Sequence, residues 1–174
     1  MTSNYQVLKY FYLIIFIVLI SLNHGCGIYS FSGTSIPSEI KTIHIQYIDN
    51  TATLIEPSLS DNLTEKLKTK CLNESGLIWE EINPDISFSG KIKEYEIKPI
   101  AIQNNEIAAK NRLTISVEIT YINNLDNSKN FNQIFTDYTD FDSTQNFYEE
   151  EIELNNIVVD ALIDHIFNTA FLNW

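Results

Sequence analysis

Few side chains in this sequence are suited to chemistry: His24, His44, His165, Cys26, Cys71 and the carboxylate run Glu149–Glu151. A zinc-type centre needs three or four donors brought together at short spacing. His44 and His165 each stand without a second histidine or a cysteine nearby. His44 falls on the polar side of an expected strand, and His165 sits beside Asp164 in an expected helix. Three glutamates in a row suit the first turn of a helix, where the macrodipole favours negative charge, better than a catalytic pair. No glycine-rich phosphate loop, G-x-S-x-G elbow or H-E-x-x-H helix occurs. The expectation is therefore no catalytic residue, no resident metal and no cofactor.

Cations are scarce, 11 against 23 acidic residues for a formal charge of −12, so no nucleic-acid partner is expected. Five of them nevertheless gather about one expected hairpin. Lys91 and Lys93 share the outward face of one strand, while Lys98, Lys110 and Arg112, the sole arginine, flank the loop to the next. Two readings stand. Lys91, Lys93 and Arg112 are candidate contacts for an anionic ligand; alternatively, these are solubilising charges partly paired with Glu94, Glu96, Glu106 and Glu118.

Cys26 is set apart by what precedes it. A short polar start, Met1–Lys9, leads into an unbroken apolar run, Tyr10–Leu22. At ~1.5 Å per residue that run reaches ~20 Å, short of the ~30 Å hydrocarbon core. It fits the apolar region of a signal peptide over residues 1–25 better than a transmembrane helix. The stretch Leu22-Asn23-His24-Gly25-Cys26-Gly27 resembles a bacterial lipobox, with Asn23 where an aliphatic residue is usual and Leu22 one step further back. The resemblance implies a thioether-linked diacylglycerol on Cys26 and an acylated (palmitate-type) amino terminus at residue 26. The other reading is ordinary signal cleavage near Gly25 and a free Cys26. Acyl anchoring is durable, since each buried methylene contributes ~0.8 kcal/mol and a triacylated cysteine carries many. By resemblance to lipoprotein sorting rules, Gly27 in place of Asp implies the outer membrane. The absence of an acidic cluster in GIYSFSG implies a periplasm-facing domain. Without Lys9 the mature chain holds ten basic and 23 acidic residues, formally −13. Cys71 then has no partner for a disulfide, and its place on an apolar helical stripe suits a buried small hydrophobe.

The elements that position these groups follow from periodicity. Residues 26–40 read as an acylated amino terminus and tether. Lys41–Ile48 alternates as a strand, with Ile43, Ile45 and Tyr47 inward and Thr42, His44 and Gln46 outward. Asp49–Glu56 is a polar connection. A helix opens at Pro57 or Ser58, with Asp61 completing a weak capping box. It buries Leu59, Leu63, Leu67 and Cys71 and stops at Asn73–Gly76. Leu77–Trp79 suits a short strand. Ile86, Phe88, Gly90 and Ile92 share one face, but Tyr95 and Ile97 have the opposite parity, which calls for a β-bulge near Lys93–Glu94. Leu113–Tyr121 is the clearest strand. Asn123–Asn130 reads as a turn and Phe131–Tyr138 as a last strand. Asn146 caps a long helix, Phe147 to Leu172, with Ile152, Val159, Leu162, Ile163, Ile166 and Ala170 on its apolar face. The expected fold class is α+β over residues 41–174 as a single domain. Two helices would pack on one face of a mixed four- or five-stranded sheet, in the order β-α-(β)-β-β-β-α.

The runs GCGIYSFSGTSIPSEIKTIHI, EPSLSDNLTEKLKTK, DISFSGKIKEYEIKPIAI, NRLTISVEITYIN and IFNTAFLNW together resemble the LPS-assembly lipoproteins, the LptE family, in the branch found in Bacteroidota. The resemblance implies a protein without bond-making chemistry, anchored in the inner leaflet of the outer membrane. It would plug the β-barrel LPS translocon, LptD, helping that barrel assemble and pass lipopolysaccharide to the cell surface. It also implies lipopolysaccharide contact through basic residues. With a charge of −13, such contact falls to the local group Lys91, Lys93 and Arg112. Tyr29, Phe31, Tyr138, Phe141 and Trp174 are either interface anchors or core and tether residues. The alternative function is an auxiliary periplasm-facing lipoprotein of another transport or polysaccharide-export system.

Overall fold

Five alternate residues, Leu113, Ile115, Val117, Ile119 and Tyr121, are each at most 1 % exposed and make β5 (Lys110–Asn123) the heart of the sheet. The computed structural model describes residues 36–100 and 110–172, all within the second of the chain's two units, Ser32–Trp174. On one side β5 pairs antiparallel with β4 (Ile86–Ile100), on the other with β6 (Phe131–Asp142). Three short strands complete a mixed sheet of order β3-β1-β4-β5-β6. β1 (Thr42–Ile45) pairs parallel with both β3 (Ile78–Trp79) and β4, and β2 (Asp49–Asn50) pairs parallel with β4 further along. The sheet thus counts six strands, the addition to the expected four or five being the two-residue β2 inside the expected polar connection.

A kink between β1 and β2 changes which side chain turns inward. Ile43 and Ile45 are buried as expected, but Tyr47 is 53 % exposed and Ile48 is fully buried in its place. The Ile48 N–H donates to Thr64 Oγ1 at 3.1 Å, which draws the chain toward the first helix. A one-residue slip exchanges the faces of a strand, and here it corrects the expected inward Tyr47. The β-bulge lies where parity required it, between Ile92 and Glu94, so that Phe88, Ile92 and Tyr95 are all buried. Gly90 answers a close approach: a Cβ there would lie 2.6 Å from the Glu118 carbonyl oxygen and 2.8 Å from Ile119 Cδ1.

Helix α1 (Leu59–Ser75) buries Leu59, Leu63, Leu67 and Cys71 and ends at Gly76, whose φ of 71° is a left-handed closure that glycine adopts without strain. The expected capping box is not made. Ser58 sits at the N-cap position with helical backbone angles, and its hydroxyl donates to Glu56 Oε1 at 2.9 Å instead of serving the helix. Helix α2 (Phe147–Phe171) is capped as expected. The Asn146 side chain accepts from Tyr148 N–H and its amide donates to Glu149 Oε1 at 2.9 Å.

The two helices run parallel in a fixed register. Asn62 bonds Asn156, Lys66 pairs with Asp160 at 2.6 Å and Lys70 with Asp164 at 2.9 Å. On that register Ile152 falls level with Ser58, ahead of the first residue of α1. It is therefore 78 % exposed rather than part of the buried face, which correction leaves Leu154, Val158, Val159, Leu162, Ile163, Ile166, Phe167, Ala170 and Phe171 there. An aromatic chain closes the layer between sheet and helix. Phe88 lies 5.0 Å from Tyr121 and 6.1 Å from Phe171, and Phe167 lies 4.8 Å from Phe171, centroid to centroid.

A reciprocal clamp pins the entry of β1 to the start of β4. Asp85 Oδ2 accepts the N–H groups of Lys41 (2.7 Å) and Thr42 (2.9 Å), while the Asp85 N–H donates to Thr42 Oγ1 at 2.8 Å. The Lys41 N–H, ahead of the Thr42 groups, holds the Asp85 carboxyl below its usual range. A depressed carboxyl stabilises the fold above the ordinary value of ~3.9, and that contribution is lost as pH falls through its folded value. Asp85→Asn is therefore expected to cost about 1 kcal/mol in urea unfolding at pH 7, with the gap to the parent closing as the pH approaches 3. An equal gap at both pH values would contradict this role.

Candidate functional site

The β4–β5 register brings the expected cations to one hairpin: Lys98 faces Arg112, Ile100 faces Lys110 and Lys91 faces Glu118, with Lys93 on the bulge. Three of these cations meet carboxylates. Lys93 Nζ lies 3.6 Å from Glu118 Oε2, and Lys98 Nζ lies 2.6 Å from Glu96 Oε2. Arg112 is held in a fork, Nε to Asp140 Oδ1 at 2.7 Å and Nη2 to Asp140 Oδ2 at 3.0 Å. Its guanidinium also lies 3.6 Å from the centre of the Tyr138 ring. This hydrogen-bonded pairing lowers the Asp140 carboxyl from its ordinary value. Such planar two-point pairing is the geometry with which arginine also grips phosphate.

Lys91 and Lys110 differ: among the described residues neither makes an ion pair. Lys91 borders a polar cleft of about 400 Å³ on the sheet face away from the helices, shared with Gln46, Tyr47, Asp49, Glu118 and Asn132. The hairpin therefore carries both readings of its charges, paired at Lys93, Lys98 and Arg112 and open, among the described residues, at Lys91 and Lys110.

The remaining sequence candidates are dispersed. His44 packs edge-on against Trp79, ring centroids 5.1 Å apart, and His165 Nδ1 lies 3.3 Å from Asp137 Oδ2. Among the described residues no group of three or more His, Cys, Asp or Glu is placed to hold a metal. Cys71 is buried, and burial pushes its thiol well above the ordinary value, away from the reactive thiolate. Of the aromatic candidates, Phe141 belongs to the core beside Phe147, whereas Tyr138 is exposed beneath Arg112. Cys26 with the apolar run before it, Tyr29, Phe31, Glu106 and Trp174 lie outside the described residues. No helix among the described residues is long and apolar enough to cross a membrane. Sequence inspection missed Asp140, the partner of Arg112, because the two meet only through the β5–β6 register. Placing Phe131 opposite Tyr121 would have found it.

The chain is similar in fold to a minor lipoprotein from Acinetobacter baumannii, at 17% identity and a TM-score of 0.50, with 76% of this chain and 94% of that one covered. It is also similar in fold to the hypothetical protein CT253 from Chlamydia trachomatis, at 8% identity and a TM-score of 0.53, covering 77% and 99%. No curated protein sequence matches it significantly. Residues 40–170 match the family described as LptE, lipopolysaccharide-assembly, and the chain belongs to that family. It is thus a lipopolysaccharide-assembly lipoprotein in kind, of a family associated with the cell envelope.

Proposed function

We propose that this protein is an outer-membrane lipoprotein, acylated at Cys26 and facing the periplasm, that plugs an LptD-type β-barrel. In that role it helps the barrel assemble and assists delivery of lipopolysaccharide to the cell surface. The observation that carries the proposal is the family match over nearly the whole described domain. The role requires no bond-making: the protein binds, orients and supports.

Lys91, Lys93 and Arg112 are the proposed contacts for the anionic groups of the glycolipid. Lys91 is open to a ligand phosphate, and Lys93 is matched only by a long 3.6 Å contact. Arg112 would exchange the two oxygens of Asp140 for two of a phosphate, a swap between like geometries. The surrounding acidic charge makes this a short-range contact that salt weakens. The triple variant Lys91→Ala, Lys93→Ala, Arg112→Ala is expected to bind lipopolysaccharide at least about tenfold more weakly, about 1.4 kcal/mol. Binding equal to the parent's would remove these residues from the ligand site while leaving the barrel role standing.

A further inference from the structure

Among the described residues, the last strand of the sheet has an open side. Phe88 and Ile92 offer their carbonyl groups to Gln46 and Thr51, so these β4 residues bond toward β1 and β2. Phe88 faces Tyr121, which must therefore bond toward β6, and its partner Phe131 bonds back toward β5. Alternation along β6 then turns the N–H and C=O groups of Asn132, Ile134, Thr136, Tyr138 and Asp140 away from β5. Among the described residues no strand pairs with that side. A long unpaired edge is a template for another chain, and proteins blunt such edges with charges or with caps on the free groups.

One such cap is present at the middle of the edge. The Tyr138 N–H donates to Asp137 Oδ1, its own neighbour's carboxylate, at 2.8 Å. The other oxygen, Asp137 Oδ2, lies 3.3 Å from His165 Nδ1 on the helix side of the sheet. The side chains around the cap suit self-pairing. Ile134 and Tyr138, 58 % and 51 % exposed, flank Thr136 symmetrically on the sheet face away from the helices. An antiparallel pairing of two copies about Thr136 sets each Ile134 opposite the other's Tyr138 and each Asp140 opposite Asn132. No like charges then stand directly opposite, and Asp140 is already matched by Arg112. Moving the centre to Asp137 would set the two Asp137 carboxylates face to face.

We propose that Asp137 is a guard that keeps the β6 edge from pairing with a second copy of this chain, and that removing its cap yields a two-fold dimer centred on Thr136. The guard works by occupying the one N–H that the partner's Ile134 carbonyl would need. The proposal stands apart from the barrel role.

The test is the mass of the full chain in detergent over a concentration series, by analytical ultracentrifugation. The parent is expected to stay monomeric. Asp137→Ala should move toward twice the protomer mass with rising concentration. Asp137→Asn, whose amide oxygen still accepts from Tyr138 N–H, should remain monomeric, which separates the cap from the charge. Adding Ile134→Pro to the alanine variant should restore the monomer, because that N–H faces the open edge and its loss spares the β5 ladder. On dimerisation the amides of Ile134, Thr136 and Tyr138 should exchange more slowly, with Gln133 and Phe135 unchanged. Asp137→Thr, a better strand former, serves if the alanine variant does not fold. A folded Asp137→Ala or Asp137→Thr protein that remains monomeric throughout, or a dimer unaffected by Ile134→Pro, would overturn the proposal.

Discussion

Truncating Phe171 to alanine should lower the free energy of unfolding by about 3–5 kcal/mol, a large part of the 5–15 kcal/mol typical of a domain. Phe171 is the last residue of α2 and fully buried, and its ring joins Phe167 on its own helix to Phe88 on β4. Alanine would leave a cavity that a sheet and two register-locked helices cannot collapse to fill. The thermal midpoint should fall by about 10–20 °C for a domain of this size. Circular dichroism during heating or urea titration measures it. Ile152→Ala is the matched control: equally apolar but exposed beyond the end of α1, it should change stability by no more than about 0.5 kcal/mol. Similar losses for the two variants would contradict the helix register.

The second large effect concerns location. If Cys26 carries the acyl chains, labelled palmitate should enter the parent and be absent from Cys26→Ala. A chain freed of residues 1–25 and carrying alanine at position 26 should, away from any barrel, pass from the detergent phase into the aqueous phase. The expected effect is close to complete, because ~0.8 kcal/mol per methylene over several acyl chains is lost at once. Metabolic labelling and phase partitioning of the purified chains read both. Label in the variant, or none in the parent, would contradict lipid on Cys26.

Much of the architecture could be read along the chain because local periodicity and tertiary packing agree there. The inward set of β5, the α1 stripe from Leu59 to Cys71, the closure at Gly76 and the bulge after Ile92 are each visible as a parity or a spacing. Tyr47 and Ile152 are misplaced by the same reasoning, each for a reason that lies outside its own segment. At Tyr47 the strand kinks so that Ile48 can meet α1, and at Ile152 the helix overhangs. Periodicity reports a face and is silent on whether anything lies opposite it. Ser58 has the right residue type for a cap, but the nearer Glu56 carboxylate takes its hydroxyl.

The candidate site was legible in part. Gathering of Lys91, Lys93, Lys98, Lys110 and Arg112 about one hairpin followed from two adjacent strands alone. Which of them are already paired did not, because Asp140 reaches Arg112 from a third strand, 28 residues on. Asp137 and His165 likewise meet only after β6 and α2 have packed. Charge pairing across elements depends on register, and register is a property of the assembled sheet rather than of any one segment.

In its proposed role this LptE-family protein works inside a large outer-membrane barrel. The direct measurement is an affinity pull-down of the carboxyl-terminally tagged full chain from detergent-solubilised outer membranes, with the retained proteins identified and quantified by mass spectrometry. One large LptD-type β-barrel is expected, held at close to one copy per copy of this chain. Retention of an inner-membrane transporter instead, or of no barrel at all, would contradict it.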